Sequence, residues 1–176
     1  MATVLMHQGI GLDAFNELSE RKAVHALYEC ANSVTLARDL ARGRRYDDHD
    51  ALFRRADALL FAMPEAAVDQ ILDACPHIGR RPRSAKSQAE QCSVWDEDPA
   101  VMSQLSESAT KYAEKYGFTF VMCVGGLRAT DVLAAISDRM HHDVEMERKV
   151  VRNELAKINR TRLERMLGPE GGYHNW

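Results

Sequence analysis

No stretch of this 176-residue chain approaches the ~20 consecutive apolar residues that a helix needs to cross a bilayer, so no membrane partner is expected. No basic segment followed by an apolar core opens it, which argues against a secretory leader. There is no surplus of positive charge. Lys and Arg number 23 against 26 Asp and Glu, for a net charge of -3, and this balance argues against an obligate nucleic-acid binder. The four cysteines, Cys30, Cys75, Cys92 and Cys123, form no C-x-x-C pair, and reduced thiols in a cytoplasmic protein are the simplest reading. Gly125-Gly126 is not followed by Lys-Ser/Thr, so it is no phosphate loop. No repeat and no hinge-like stretch divides the chain. What is present is ordinary for a globular protein: 45% apolar and 28% charged residues, on a length that favours one domain with a real core.

Apolar spacing predicts helices almost throughout. Residues 1–11 lack a clear period and read as a flexible lead-in, and 168–176 as a C-terminal tail. From Ser19, the residues Ala23, Val24, Leu27, Tyr28 and Ala31 mark one buried stripe. A shorter helix around 35–41 stops at Gly43. The cluster Asp47-Asp48-His49-Asp50 offers N-caps for a helix carrying Leu52, Phe53, Ala56, Leu59 and Leu60. Pro64 starts the next, through Val68, Ile71 and Leu72, and Pro76 must end it. Four cations follow Gly79 (Arg80, Arg81, Arg83 and Lys86), and Ser87 with Glu90 has the spacing of a capping box. Met102, Leu105, Ala109, Tyr112, Ala113 and Tyr116 trace a long helix closed by Gly117. The apolar run 118–124 fits a helix or an extended segment equally. A helix over 130–140 directs Val132, Leu133, Ile136 and Met140 inward, and the longest helix spans 144–167. The expected fold is all-α, one bundle of about eight helices over 12–167.

Few residues stand out as chemistry. Arg162 falls on the apolar stripe Val151, Leu155, Ile158, Arg162, Met166, where a guanidinium that cannot lose its proton needs an anion or carbonyls. A structural ion pair and a clamp for an anionic or carbonyl-bearing ligand both satisfy it. Ser87 and Glu90 fit a helix cap, and a first-turn glutamate also suits acid or base work in a cleft. Gln91 adds an amide able to read a urea or lactam edge. Cys75 ends a helix, where the negative end of the dipole raises a thiol's pKa, so an inert buried thiol is its default. His77, one residue past Pro76, reads as a solvated side chain. Cys75-x-His77 lacks a second ligand pair, and no metal is expected.

Taken together, these segments resemble the decarboxylases of 2-oxo-4-hydroxy-4-carboxy-5-ureidoimidazoline (OHCU), enzymes of urate degradation that yield (S)-allantoin. The resemblance rests on Cys75-Pro76-His77-Ile78-Gly79, on Ser87-Gln-Ala-Glu90-Gln91, on Tyr112 to Phe120, and on Glu154-Leu-Ala-Lys-Ile158 through Arg162-Leu163. It implies an all-α bundle, a homodimer, a small-molecule substrate and no cofactor. It carries over Glu90 as a catalytic residue and Pro76, Ser87, Gln91, Phe120 and Arg162 as substrate-site residues. The family's catalytic histidine falls at Cys75, its neighbouring arginine at His77, and an asparagine at Ala109. Three readings therefore stand: a family decarboxylase with an altered acid/base that uses His77 or Glu90, an enzyme on the same scaffold for another small ureido, lactam or imine-bearing acid, and a silent ligand-binding or interaction protein.

Overall fold

The computed structural model describes residues 9–79, 90, 94–96 and 98–168. Eight helices lie among the described residues: α1 (Leu12–Glu17), α2 (Glu20–Ala31), α3 (Val34–Arg42), α4 (His49–Ala62), α5 (Glu65–Ala74), α6 (Pro99–Tyr116), α7 (Ala129–Arg139) and α8 (Val144–Leu167). The all-α class expected from the sequence is the observed one. The basic stretch 80–86 and the expected capping serine, Ser87, lie outside the described residues, as does Gln91.

Local chemistry sets most boundaries. Ser19, Ser33 and Asp48 each accept a hydrogen bond from a first-turn amide, those of Lys22, Leu36 and Ala51. These bonds satisfy N–H groups that a helix start leaves without partners. Asp98 does the same for Ala100 ahead of Pro99, whose fixed φ suits a first helical position. Gly117 ends α6 at φ 80, its N–H donating to the Ala113 carbonyl at 2.8 Å. Residues 118–124 form no helix, which removes one of the two readings of that run.

Contacts group the residues into two compact units. One holds 9–71 with 156–168. Its core is Phe15, Leu27, Leu36, Leu40, Leu52 and Leu60, joined by Leu163 and Met166 of α8. The α2 stripe is rotated from the expected one: Ala26 and Cys30 are buried, Val24 is half-buried and Tyr28 is exposed. Small residues on this face allow close approach to α3, which leaves the larger ring outside. Gly9, Ile10 and Gly11 donate their N–H groups to the carbonyls of Arg165, Met166 and Leu167. This end of the expected lead-in is therefore tied to the last turn of α8, whose terminal carbonyls have no partners within the helix.

The other unit spans Leu72–Leu155. Its core is aromatic. Tyr112 is fully buried and meets Phe120 edge-on at 5.0 Å and Tyr116 at 4.7 Å. Gly79 sits at φ 85 against α6. A Cβ there would meet the Ser106 nitrogen at 2.7 Å, so only glycine lets the turn after Pro76 lie on this helix.

Candidate active site

In the unit spanning Leu72–Leu155, that close approach forms one wall of a cavity of about 180 Å³. The turn contributes His77 and Ile78. Helix α6 contributes Ser106, Ala109, Thr110 and Ala113, and the non-helical stretch after Gly117 contributes Thr119 and Phe120. The lining is mainly apolar with a few hydroxyls and one imidazole, a usual composition for a small-molecule site, and the volume suits a compact metabolite. Ala109 and Ala113, expected as core stripe, are half-buried wall residues instead. A stripe of small side chains leaves space that Leu or Phe would fill.

The sequence-predicted residues divide as follows. Cys75 follows the last turn of α5, 8% exposed, with its N–H donating to the Leu72 carbonyl at 3.0 Å. Pro76 is half-buried, and His77 is exposed at the cavity. Glu90 is helical and half-buried. Phe120 is buried and lines the cavity. Ser87 and Gln91 lie outside the described residues.

Arg162 belongs to the unit that holds residues 9–71 and 156–168. It is 8% exposed, and its Nη1 donates to the Cys30 carbonyl at 3.0 Å. The stripe reasoning that placed it inward is correct for Val151, Leu155 and Met166 as well, whereas Ile158 is half-buried and Asn159 takes the inner position.

Sequence reasoning missed a buried polar cluster behind the cavity wall. Glu147 on α8 has no solvent exposure and pairs with Arg139 on α7, whose Nε donates to its Oε1 at 2.6 Å. The Tyr112 hydroxyl donates to the same oxygen, and His142 Nδ1 lies 2.9 Å from Oε2. Burial pushes the Glu147 carboxyl up, but the hydrogen bonds from Tyr112, Arg139 and His142 outweigh it, so the carboxyl stands below its ordinary range. The Tyr112 hydroxyl is pushed strongly upward, first by burial and then by its bond to Glu147. Arg139 also reaches the wall itself. Its Nη1 donates to the Val121 carbonyl at 2.7 Å and its guanidinium lies 4.5 Å from the Phe120 ring centroid. A signal for the pair was present, because Arg139 continues the Val132, Ile136 stripe by three residues and Glu147 precedes Val151 by four.

Comparison with known proteins gives the family and the fold. Over 130 residues the chain is 29% identical to a 2-oxo-4-hydroxy-4-carboxy-5-ureidoimidazoline decarboxylase of Halalkalicoccus jeotgali, covering 68% of this chain and 74% of that protein. It is 24% identical over 168 residues to a uric acid degradation bifunctional protein of Bacillus sp. (strain TB-90), covering 89% of this chain and 32% of the relative. The chain thus spans about a third of that bifunctional protein. In fold it is similar to a crystal structure of OHCU decarboxylase in the presence of (S)-allantoin, with a TM-score of 0.72 at 19% identity, covering 85% of this chain and 99% of that one. A crystal structure of (S)-allantoin synthase gives the same TM-score at 17% identity, covering 90% of this chain and 54% of that one. The profile of the OHCU decarboxylase family matches residues 16–164, most of the chain, and this protein belongs to that family.

Proposed function

We propose that this chain is a cofactor-independent carboxy-lyase of urate degradation, converting OHCU to (S)-allantoin as a cytoplasmic homodimer. Family membership supports the reaction class. The observation that carries the reading in the structure is the small cavity with His77, Thr110, Thr119 and Phe120 in its wall.

The chemistry asks little of the protein beyond position. The carboxylate of the substrate leaves from a carbon next to a ring C=N bond. As the C–C bond breaks, CO₂ departs and the electron pair moves to the imine nitrogen. That nitrogen takes up a proton, and the resulting enol of the ene-diamine tautomerises: the ureido-bearing carbon gains one proton on one face while the hydroxyl on the carbon that lost CO₂ gives one up, leaving the ring carbonyl of (S)-allantoin. A site for this reaction anchors the oxygens and the ureido group, excludes water from the carboxylate and delivers that proton. Phe120 and the apolar wall suit the exclusion of water. Pro76 fixes the turn that brings the residue at position 75 to the site. Ser87 and Gln91 read amide edges. Glu90 orients the group at position 75. That group is a thiol, a poorer proton carrier near neutral pH than imidazole, so the reaction is slow.

The test is direct: add freshly generated OHCU to the purified protein and follow (S)-allantoin by circular dichroism. Enantiospecific formation above the spontaneous background supports the proposal. A racemic product at the background rate refutes it for this chain.

A further inference from the structure

Residues 118–124 carry Thr119 and Phe120 of the cavity wall and belong to no helix. Two side chains hold them from behind. Arg139 donates to the Val121 carbonyl and covers the Phe120 ring, and the Glu154 Oε2 accepts the Cys123 N–H at 2.8 Å. Arg139 is itself fixed by Glu147 and by its Nη2 donating to the Tyr112 hydroxyl oxygen at 3.2 Å.

We infer that Arg139, locked by Glu147, is a positioning residue for the ligand site: it sets where Phe120 stands and thereby the shape of the cavity. The inference rests on the reading of the cavity as the ligand site. A planar guanidinium fits this task because one group serves the Glu147 carboxylate, the Val121 carbonyl and the face of an aromatic ring. A buried ion pair is weak evidence for stability as such, since apolar replacements of similar volume are often neutral. That property separates positioning from bulk stability. A variant that replaces the cluster with apolar groups can stay folded while releasing the Val121 carbonyl.

The experiment measures (S)-allantoin binding by calorimetry to the full chain and four variants, with folded fractions matched by thermal denaturation. The anchor is altered in Arg139→Lys and in the triple variant Tyr112→Phe, Arg139→Met, Glu147→Leu. Val132→Ala, at a fully buried position two turns away on α7 that does not line the cavity, lowers stability, and Ala113→Phe fills the cavity. We expect Ala113→Phe to abolish binding and Val132→Ala to leave the Kd unchanged. The folded triple variant should weaken the Kd by about 10- to 100-fold, the scale of a wall misplaced by about 1 Å, with Arg139→Lys between it and the parent. A folded triple variant that binds as the parent does overturns the positioning role while the cavity reading stands. Failure of the parent to bind, or binding indifferent to Ala113→Phe, overturns the cavity reading and this inference with it.

Discussion

Cys75→His bears most directly on the reaction. The position is buried next to a turn held against α6 through Gly79, so an imidazole enters a confined space. Overpacking of this kind typically costs about 1–3 kcal/mol. Against that stands a proton-carrying group with an ordinary pKa near 6.5 in place of a thiol near 8.5, next to a carboxylate, Glu90, proposed to orient it. General acid–base catalysis contributes roughly 10²–10⁴-fold, or about 3–5 kcal/mol of barrier at 1.36 kcal/mol per tenfold. The two quantities act on different observables. Strain lowers the unfolding midpoint, whereas the restored acid/base lowers the barrier of the folded enzyme. At equal folded concentration, Cys75→His should therefore form (S)-allantoin about 10²-fold faster or more, even with a lower Tm. The assay is the initial rate by circular dichroism with freshly generated OHCU, beside a denaturation curve for each protein. A well-folded Cys75→His variant no faster than the parent would refute the reasoning: the site would then have been rebuilt for another substrate.

Arg162→Lys keeps the charge but loses the planar fork that reaches the Cys30 carbonyl, and Tm should fall by roughly 3–12 °C, from about 1.5–3 kcal/mol for a charged hydrogen bond at ~2–4 °C per kcal/mol, read by thermal denaturation. Glu147→Gln leaves Arg139 buried without its counter-charge, a loss of about 3–5 kcal/mol, or roughly 6–20 °C in Tm at ~2–4 °C per kcal/mol for a chain of this size. Because the folded state holds the Glu147 carboxyl below its ordinary value of 4.5, its contribution is present above that pH and disappears as pH falls through the lowered value. The Tm gap between parent and Glu147→Gln should accordingly narrow below pH 4.5, and a gap constant with pH would refute the role of this carboxylate. His77→Asn should leave the slow activity of the parent nearly unchanged, since His77 is exposed where position 75 is buried; a fall of orders of magnitude would show that the imidazole at the cavity has taken over the proton step.

The helices were legible because capping and apolar spacing act over a few residues. Ser19, Asp48, Gly117 and the stripe ending at Met166 each declare a boundary or a face without reference to the rest of the chain. The inward position of Arg162 was readable for the same reason. Tyr28 shows the limit of such reading. Its spacing on α2 fits a buried stripe, but two adjacent faces satisfied the period, and the choice depended on how closely α3 could approach. Residues 118–124 were ambiguous because an apolar run without a period records burial and not conformation. Arg139 and Glu147 were missed for a further reason. Each continues an apolar stripe of its own helix, but only the pairing of α7 with α8 supplies the partner that makes burial tolerable.

The departures from the family pattern have a pattern of their own. His77 and Ala109 stand where the resemblance leads one to expect arginine and asparagine, and both line the cavity; Cys75 adjoins the same turn. Gly79 permits the turn to lie on α6, and Arg139 holds the Val121 carbonyl. An asparagine at position 109 would bring an amide where Ala109 leaves space, and an arginine at position 77 would bring a cation to the mouth. Replacing Cys75 alone restores the proton carrier but neither of the other two groups. The rate gained by Cys75→His consequently measures how far proton delivery, separate from substrate anchoring, limits the reaction.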